Sequence, residues 1–178
     1  TYLVLTFPQS AAHWSTTATK LVIGLLILLP AWQGLVLIKA MPLGNWLIMA
    51  VMVLVWGADI GAYFSGRKFG KRKLAPKVSP GKSWEGVFGG LLLSLLITAA
   101  VGIARDWSIG QLCLALIGAA LIVLISVVGD LTESMFKRQA GIKDSSNLLP
   151  GHGGVLDRID SLTAAIPVFA VLLWMAAS

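Results

Sequence analysis

The chain has 178 residues, of which 57% are hydrophobic and only 12% charged, with a mean hydropathy of +0.84 and a net charge of +6. So little polar surface cannot cover a water-soluble globule, and a bilayer must be its solvent. The one cysteine, Cys113, excludes an intrachain disulfide and a thiolate metal cluster; its place in an apolar run reads as a small core residue.

In chain order, Thr1 to Phe7 reads as the tail of a hydrophobic helix and not as a signal peptide with a basic start, which predicts further chain before Thr1. His13, beside Trp14, reads as an interfacial residue. A spanning helix needs about 20 mostly apolar residues. Five windows meet that need, at 20 to 39, 43 to 64, 86 to 104, 109 to 129 and 161 to 177. Pro30 is a candidate kink in the first, and the last is short enough to begin within the polar segment before it. The predicted fold is therefore all-α, a polytopic membrane protein of about five transmembrane helices, with long loops at 65 to 85 and 130 to 160. Residues 1–43 are expected to form an N-terminal connector and first helix, and 44–178 a membrane domain that holds both long loops. No internal repeat or low-complexity tract is visible.

Basic residues set the orientation, because they are retained on the cytoplasmic side. Twelve of the fourteen lysines and arginines fall on the side of the two long loops, leaving only Lys39 and Arg105 opposite. Both loops are thus expected in the cytoplasm. The acids follow the same division: Asp106 stands alone outside, while Asp59, Glu85, Asp130, Glu133, Asp144, Asp157 and Asp160 lie in or near the cytoplasmic loops. Ionisable groups at membrane depth are costly and mark functional positions.

Asp130 and Glu133 end the fourth window, and Asp157 and Asp160 begin the fifth. Three-residue spacing puts each pair on one helix face. Carboxylates so close repel unless a cation lies between them, and an all-oxygen set favours magnesium over zinc. The simpler alternative is that Asp157 and Asp160 favour a helix N-terminus and pair with Arg158. Leu149-Pro150-Gly151-His152-Gly153-Gly154 leads into that helix, and its glycines allow close backbone approach to a phosphate. Lys137, Arg138 and Lys143 lie upstream, where they can neutralise a triphosphate or a departing pyrophosphate. Taken singly, the glycines fit an ordinary turn and His152 a structural hydrogen bond. In the other loop, Gly81-Lys82-Ser83 has the ending of a P-loop, but Pro76 stands where the first glycine belongs, so that motif is rejected. Ser79, Lys82 and Ser83 remain candidates for phosphate or headgroup contact, whereas Arg67 to Lys73 fits diffuse attraction to anionic lipids.

Ser134-Met135-Phe136-Lys137-Arg138, Lys143-Asp144, Pro150-Gly151-His152-Gly153-Gly154 and Asp157-Arg158-Ile159-Asp160 together resemble the signature of the phosphatidate cytidylyltransferases. The likeness extends through Trp56-Gly57-Ala58-Asp59, Lys77 to Ser83 and Ser161 to Ala165, from about residue 44 to the end. Members of that family normally carry further transmembrane helices before this region. The resemblance implies a membrane enzyme, usually dimeric, that makes CDP-diacylglycerol and pyrophosphate from CTP and phosphatidic acid, with magnesium and with potassium as a second ion. It implies Asp130, Asp157 and Asp160 as metal ligands and Lys143, Asp144, His152 and Arg158 as catalytic-loop residues. Ser79, Lys82, Ser83, Lys137, Arg138, Gly153 and Gly154 are then expected to contact substrate. The expected location is the inner cell membrane, with the site facing the cytoplasm and no nucleic-acid partner. The competing readings are a CTP-using polyprenol kinase, a cation-coupled transporter and a non-catalytic membrane partner. A transporter calls for broken helices with acids near the midplane.

Overall fold

The computed structural model describes residues 4, 7–9, 16–146, 148 and 153–177. Most of Thr1 to Phe7, His13 with Trp14, and Leu149 to His152 lie outside the described residues. The order of elements is α1 (Thr17–Ala40), α2 (Gly44–Phe69), β1 (Lys73–Ala75), β2 (Ser79–Ser83), α3 (Trp84–Ala104), α4 (Ile109–Gln139) and α5 (Leu156–Ala177). All five helices are long and apolar enough to cross a membrane. Leu26, Trp46, Ile103, Ile109 and Leu114 stand exposed on them, as lipid-facing side chains do, and the protein is an integral membrane protein.

The helix boundaries follow local chemistry. Thr16 caps α1 by accepting from the Thr19 amide, and helix α1 runs on through Pro30. Ser108 opens α4 with a reciprocal capping box to Gln111. Two boundaries differ from the hydropathy windows. Helix α4 continues past residue 129 to Gln139, and α5 begins at Leu156. Asp130, Glu133, Lys137 and Arg138 are therefore helical and not loop residues. Hydropathy falls there, but backbone hydrogen bonding continues because nothing before Gly141 breaks the helix. The other long loop holds a small antiparallel hairpin, β1 with β2, that the all-α reading did not separate out.

Between spanning helices there is no water to expel, so association depends on close packing and interhelical hydrogen bonds. Val51, Leu54 and Val55 of α2 pack with Ala119 and Ile122 of α4 and with Leu162 and Ala165 of α5. Helices α2 and α3 approach more closely still. The buried Ser94 hydroxyl donates to the Leu54 carbonyl at 3.0 Å. A Cβ on Gly61 would lie 2.6 Å from the Gly89 carbonyl oxygen, and one on Gly90 would lie 2.5 Å from that of Ala58. Gly61→Val should therefore lower stability by about 1–3 kcal/mol, read as a fall in melting temperature in detergent. Gly24→Ala, with nothing within 4 Å of the added carbon, should leave the melt unchanged.

A second apolar cluster seats the hairpin. Ala75 and Val78 bury against Leu131 and Met135 on the C-terminal third of α4. The Arg138 Nε donates to the Val78 carbonyl at 3.3 Å, fixing the turn of the hairpin to the same stretch of helix.

Candidate active site

The C-terminal third of α4, the first turns of α5 and the seated hairpin bring their polar side chains together. Gly129 makes the approach of α5 possible: a Cβ there would lie 2.6 Å from that of Ala164 and 3.1 Å from the Asp160 carbonyl oxygen. One residue on, Asp130 forms an ion pair with Lys82 of β2 and accepts from the Ser134 hydroxyl at 3.3 Å. Asp160 lies within electrostatic reach of Asp130 and beside Glu133. Asp59, from the cytoplasm-directed half of α2 in the sequence reading, interacts with Asp130, Lys82 and Asp160.

Lys137 ties the cluster to the start of α5. Its ammonium donates to Asp157 at 2.8 Å and stands 3.5 Å from Glu133. The Asp157 side chain is only 6% exposed. It also accepts from the Ser145 amide at 2.9 Å, the Ser145 hydroxyl at 3.0 Å and the Gly154 amide at 2.7 Å. Asp157 thus closes the loop before α5 around itself. Gly153 is left-handed at φ +75°, and a Cβ on it would lie 2.7 Å from an Asp157 oxygen, so the loop needs glycine here.

Each expected site residue has a definite place. Asp130, Asp157, Asp160, Lys82 and Lys137 join the cluster. Ser83 is 3% exposed and caps α3 by accepting from the Gly86 amide, so its hydroxyl serves the frame. Gly81-Lys82-Ser83 lies on a strand and the helix cap after it, and forms no phosphate-cradling loop. The Gly154 amide points at Asp157 and is already taken. Ser79 is half-buried at the start of β2; Arg138, Lys143, Asp144 and Arg158 are exposed around the rim. His152 lies outside the described residues. Ser145 escaped the sequence reading because one serine in a polar loop resembles any other. Glu133 and Asp59 carried a signal, as acids within or beside apolar spans, but the chosen metal set did not include them.

Five carboxylates here gather around two ammonium groups, an excess of negative charge that a cation would offset. Among the described residues, no three acid, histidine or cysteine side chains are drawn close enough to form a ready-made metal nest. The donor chemistry nevertheless fits a hard cation. All the donors are carboxylate oxygens, and both Glu133 oxygens are buried without a backbone or hydroxyl donor. Lysine ammoniums already stand against Asp130 and Asp157, two of the three acids the sequence pattern assigns to metal.

The chain is similar to known proteins over most of its length. The sequence profile described as the cytidylyltransferase family matches residues 1–176. A phosphatidate cytidylyltransferase of Pseudomonas aeruginosa is 76% identical over 176 residues, which cover 99% of this chain and 65% of that one. One from Haemophilus influenzae is 50% identical over 178 residues, covering 94% and 62%. One from Brucella suis is 45% identical over 138 residues, covering 75% and 47%. The chain spans less than two thirds of the length of these curated relatives. The matched range takes in the hairpin, α4 and nearly all of α5, and the chain belongs to the cytidylyltransferase family.

Proposed function

We propose that the protein transfers a cytidylyl group from CTP to phosphatidic acid, giving CDP-diacylglycerol and pyrophosphate. The observation that carries this reading is the convergence of the α4 and α5 acids with Lys82 and Lys137 at one end of a membrane bundle. The names of the relatives support the choice of substrates. The lipid phosphate is already an anionic nucleophile at neutral pH, so the main task is bringing two polyanions together. An oxygen of the lipid phosphate bonds to the α-phosphorus of CTP as the bond from that phosphorus to the bridging oxygen breaks, and pyrophosphate leaves with the electron pair.

Asp130, Asp157 and Asp160 would hold magnesium, with Glu133 as a further carboxylate beside Asp160 and potassium as a second ion. Magnesium, when bound, supplies positive charge against the triphosphate. Lys82 and Lys137, now paired with acids, exchange those partners for phosphate oxygens, while Arg138, Lys143 and Arg158 screen charge from the rim. The concentration of basic residues on the first long connector and on the helix ends beside the two long connectors supports a cytoplasmic orientation at the inner membrane.

The test is incubation of the membrane-embedded protein with labelled CTP and phosphatidic acid, with and without magnesium, identifying both products. CDP-diacylglycerol and pyrophosphate, formed only with the metal, are expected. Release of CDP would instead indicate γ-phosphoryl transfer to a lipid, the kinase reading, and would overturn the proposal.

A further inference from the structure

Beyond the acid cluster, the hairpin has a second chemistry that the reaction does not use. Arg67, Lys68, Lys71, Arg72, Lys73 and Lys77 are all exposed, and no salt bridge joins any of them to a carboxylate among the described residues. Arg67 donates to the Tyr63 hydroxyl at 3.1 Å and Lys68 lies over the Phe69 ring, so the patch begins among aromatic side chains at the end of a span. It also borders a cleft of about 380 Å³ lined by Arg72, Trp84, Glu85 and Phe88.

The cleft has both charged and aromatic walls. Arg72 is held by its backbone, whose carbonyl accepts from the Trp84 amide at 3.0 Å and whose amide donates to both Glu85 oxygens at 3.2 Å. Glu85, the acid in the cleft, is thus engaged by the Arg72 backbone and lies within electrostatic reach of the guanidinium, although no salt bridge joins the two side chains among the described residues. Trp84 and Phe88 lie one helical turn apart on the first turns of α3, with ring centroids 6.5 Å apart and both rings exposed. Both rings lie at the start of a helix long and apolar enough to span a membrane, the position where aromatic side chains anchor at the boundary. A guanidinium that shares a cleft with two exposed rings at the start of a span matches one kind of partner, a phosphate headgroup with its acyl chain.

We propose that this cleft is a binding site for an anionic glycerophospholipid of the surrounding leaflet, separate from the acid cluster. The headgroup phosphate pairs with Arg72, flanked by Lys71 and Lys73, and an acyl chain lies along Trp84 and Phe88. The connection to the reaction site is covalent and short: Lys82, paired with Asp130, is two residues before Trp84. A lipid seated in the cleft therefore steadies the strand that carries Lys82.

The probe is brominated phosphatidylglycerol, a phosphodiester that lacks the phosphomonoester consumed in the proposed reaction, compared with brominated phosphatidylcholine at equal mole fraction in vesicles. Tryptophan quenching should show selective binding of the anionic lipid. Lys71→Gln/Arg72→Gln/Lys73→Gln should reduce that selectivity roughly tenfold or more, and Trp84→Phe should remove the selective part of the quenching. Arg67→Gln/Lys68→Gln/Lys77→Gln removes the same charge away from the cleft and should retain most of the selectivity. An unaltered melt for each variant keeps the comparison valid. Equal loss in both triple variants, or no preference for phosphatidylglycerol in the unsubstituted protein, would overturn the cleft site.

Discussion

Asp160→Asn should abolish cytidylyl transfer while the protein still inserts and folds. The substitution keeps the side chain's size and leaves an oxygen to accept from the Ser161 amide, a bond of 2.7 Å in the native protein. What it removes is one negative charge from the group formed with Asp130 and Glu133. If that group holds a divalent cation against a triphosphate, the rate should fall roughly a hundredfold or more. Turnover of labelled CTP in membranes, beside a melting curve of the purified variant, separates chemistry from folding. Near-normal turnover would sink the assignment of these acids to metal.

Lys137→Ala should have the largest effect on stability. The Lys137 side chain is 15% exposed, and its ammonium lies between two acids that are buried more deeply still. Removing one partner of a buried pair leaves charge uncompensated and costs about 3 kcal/mol. The two acids do not suffer equally. Asp157 keeps its bonds from Ser145 and Gly154, whereas no backbone or hydroxyl donor reaches Glu133, which is left with only the Asp160 carboxyl beside it. Glu133→Gln should therefore restore much of the lost stability in the Lys137→Ala background. Thermal denaturation of both single variants and the double variant measures that coupling, and simple additivity would show that the lysine does not act through Glu133.

The five spans were legible because long apolar runs have few other uses. The last ten residues of α4 were not, because hydropathy records what a helix touches and not where its hydrogen bonds stop. Asp130 and Lys137 are part of an unbroken helix, although their polarity resembles that of a loop. The hairpin was hidden for a different reason. Its strands are three and five residues long, and Pro80 and Gly81 weaken any strand pattern. Among the acids, spacing of three along a helix disclosed which pairs share a face. The partnership of Lys82 with Asp130 was not disclosed, since it depends on how Val78 and Ala75 seat against α4. The glycines before α5 were visible as a loop signal, but the amide of Gly154 is directed at Asp157 in place of the expected phosphate.

The 31 residues of α4 have a consequence for where the two proposed substrates can meet. At 1.5 Å per residue the helix is about 46 Å tall, against a hydrocarbon layer of about 30 Å, and Asp130 stands about 32 Å above Ile109. A mast of that height, standing upright from the far side of the oily layer, would carry its carboxylates at the waterline. A nucleotide can reach that height without leaving water, and a lipid can present its phosphate there with both tails still submerged.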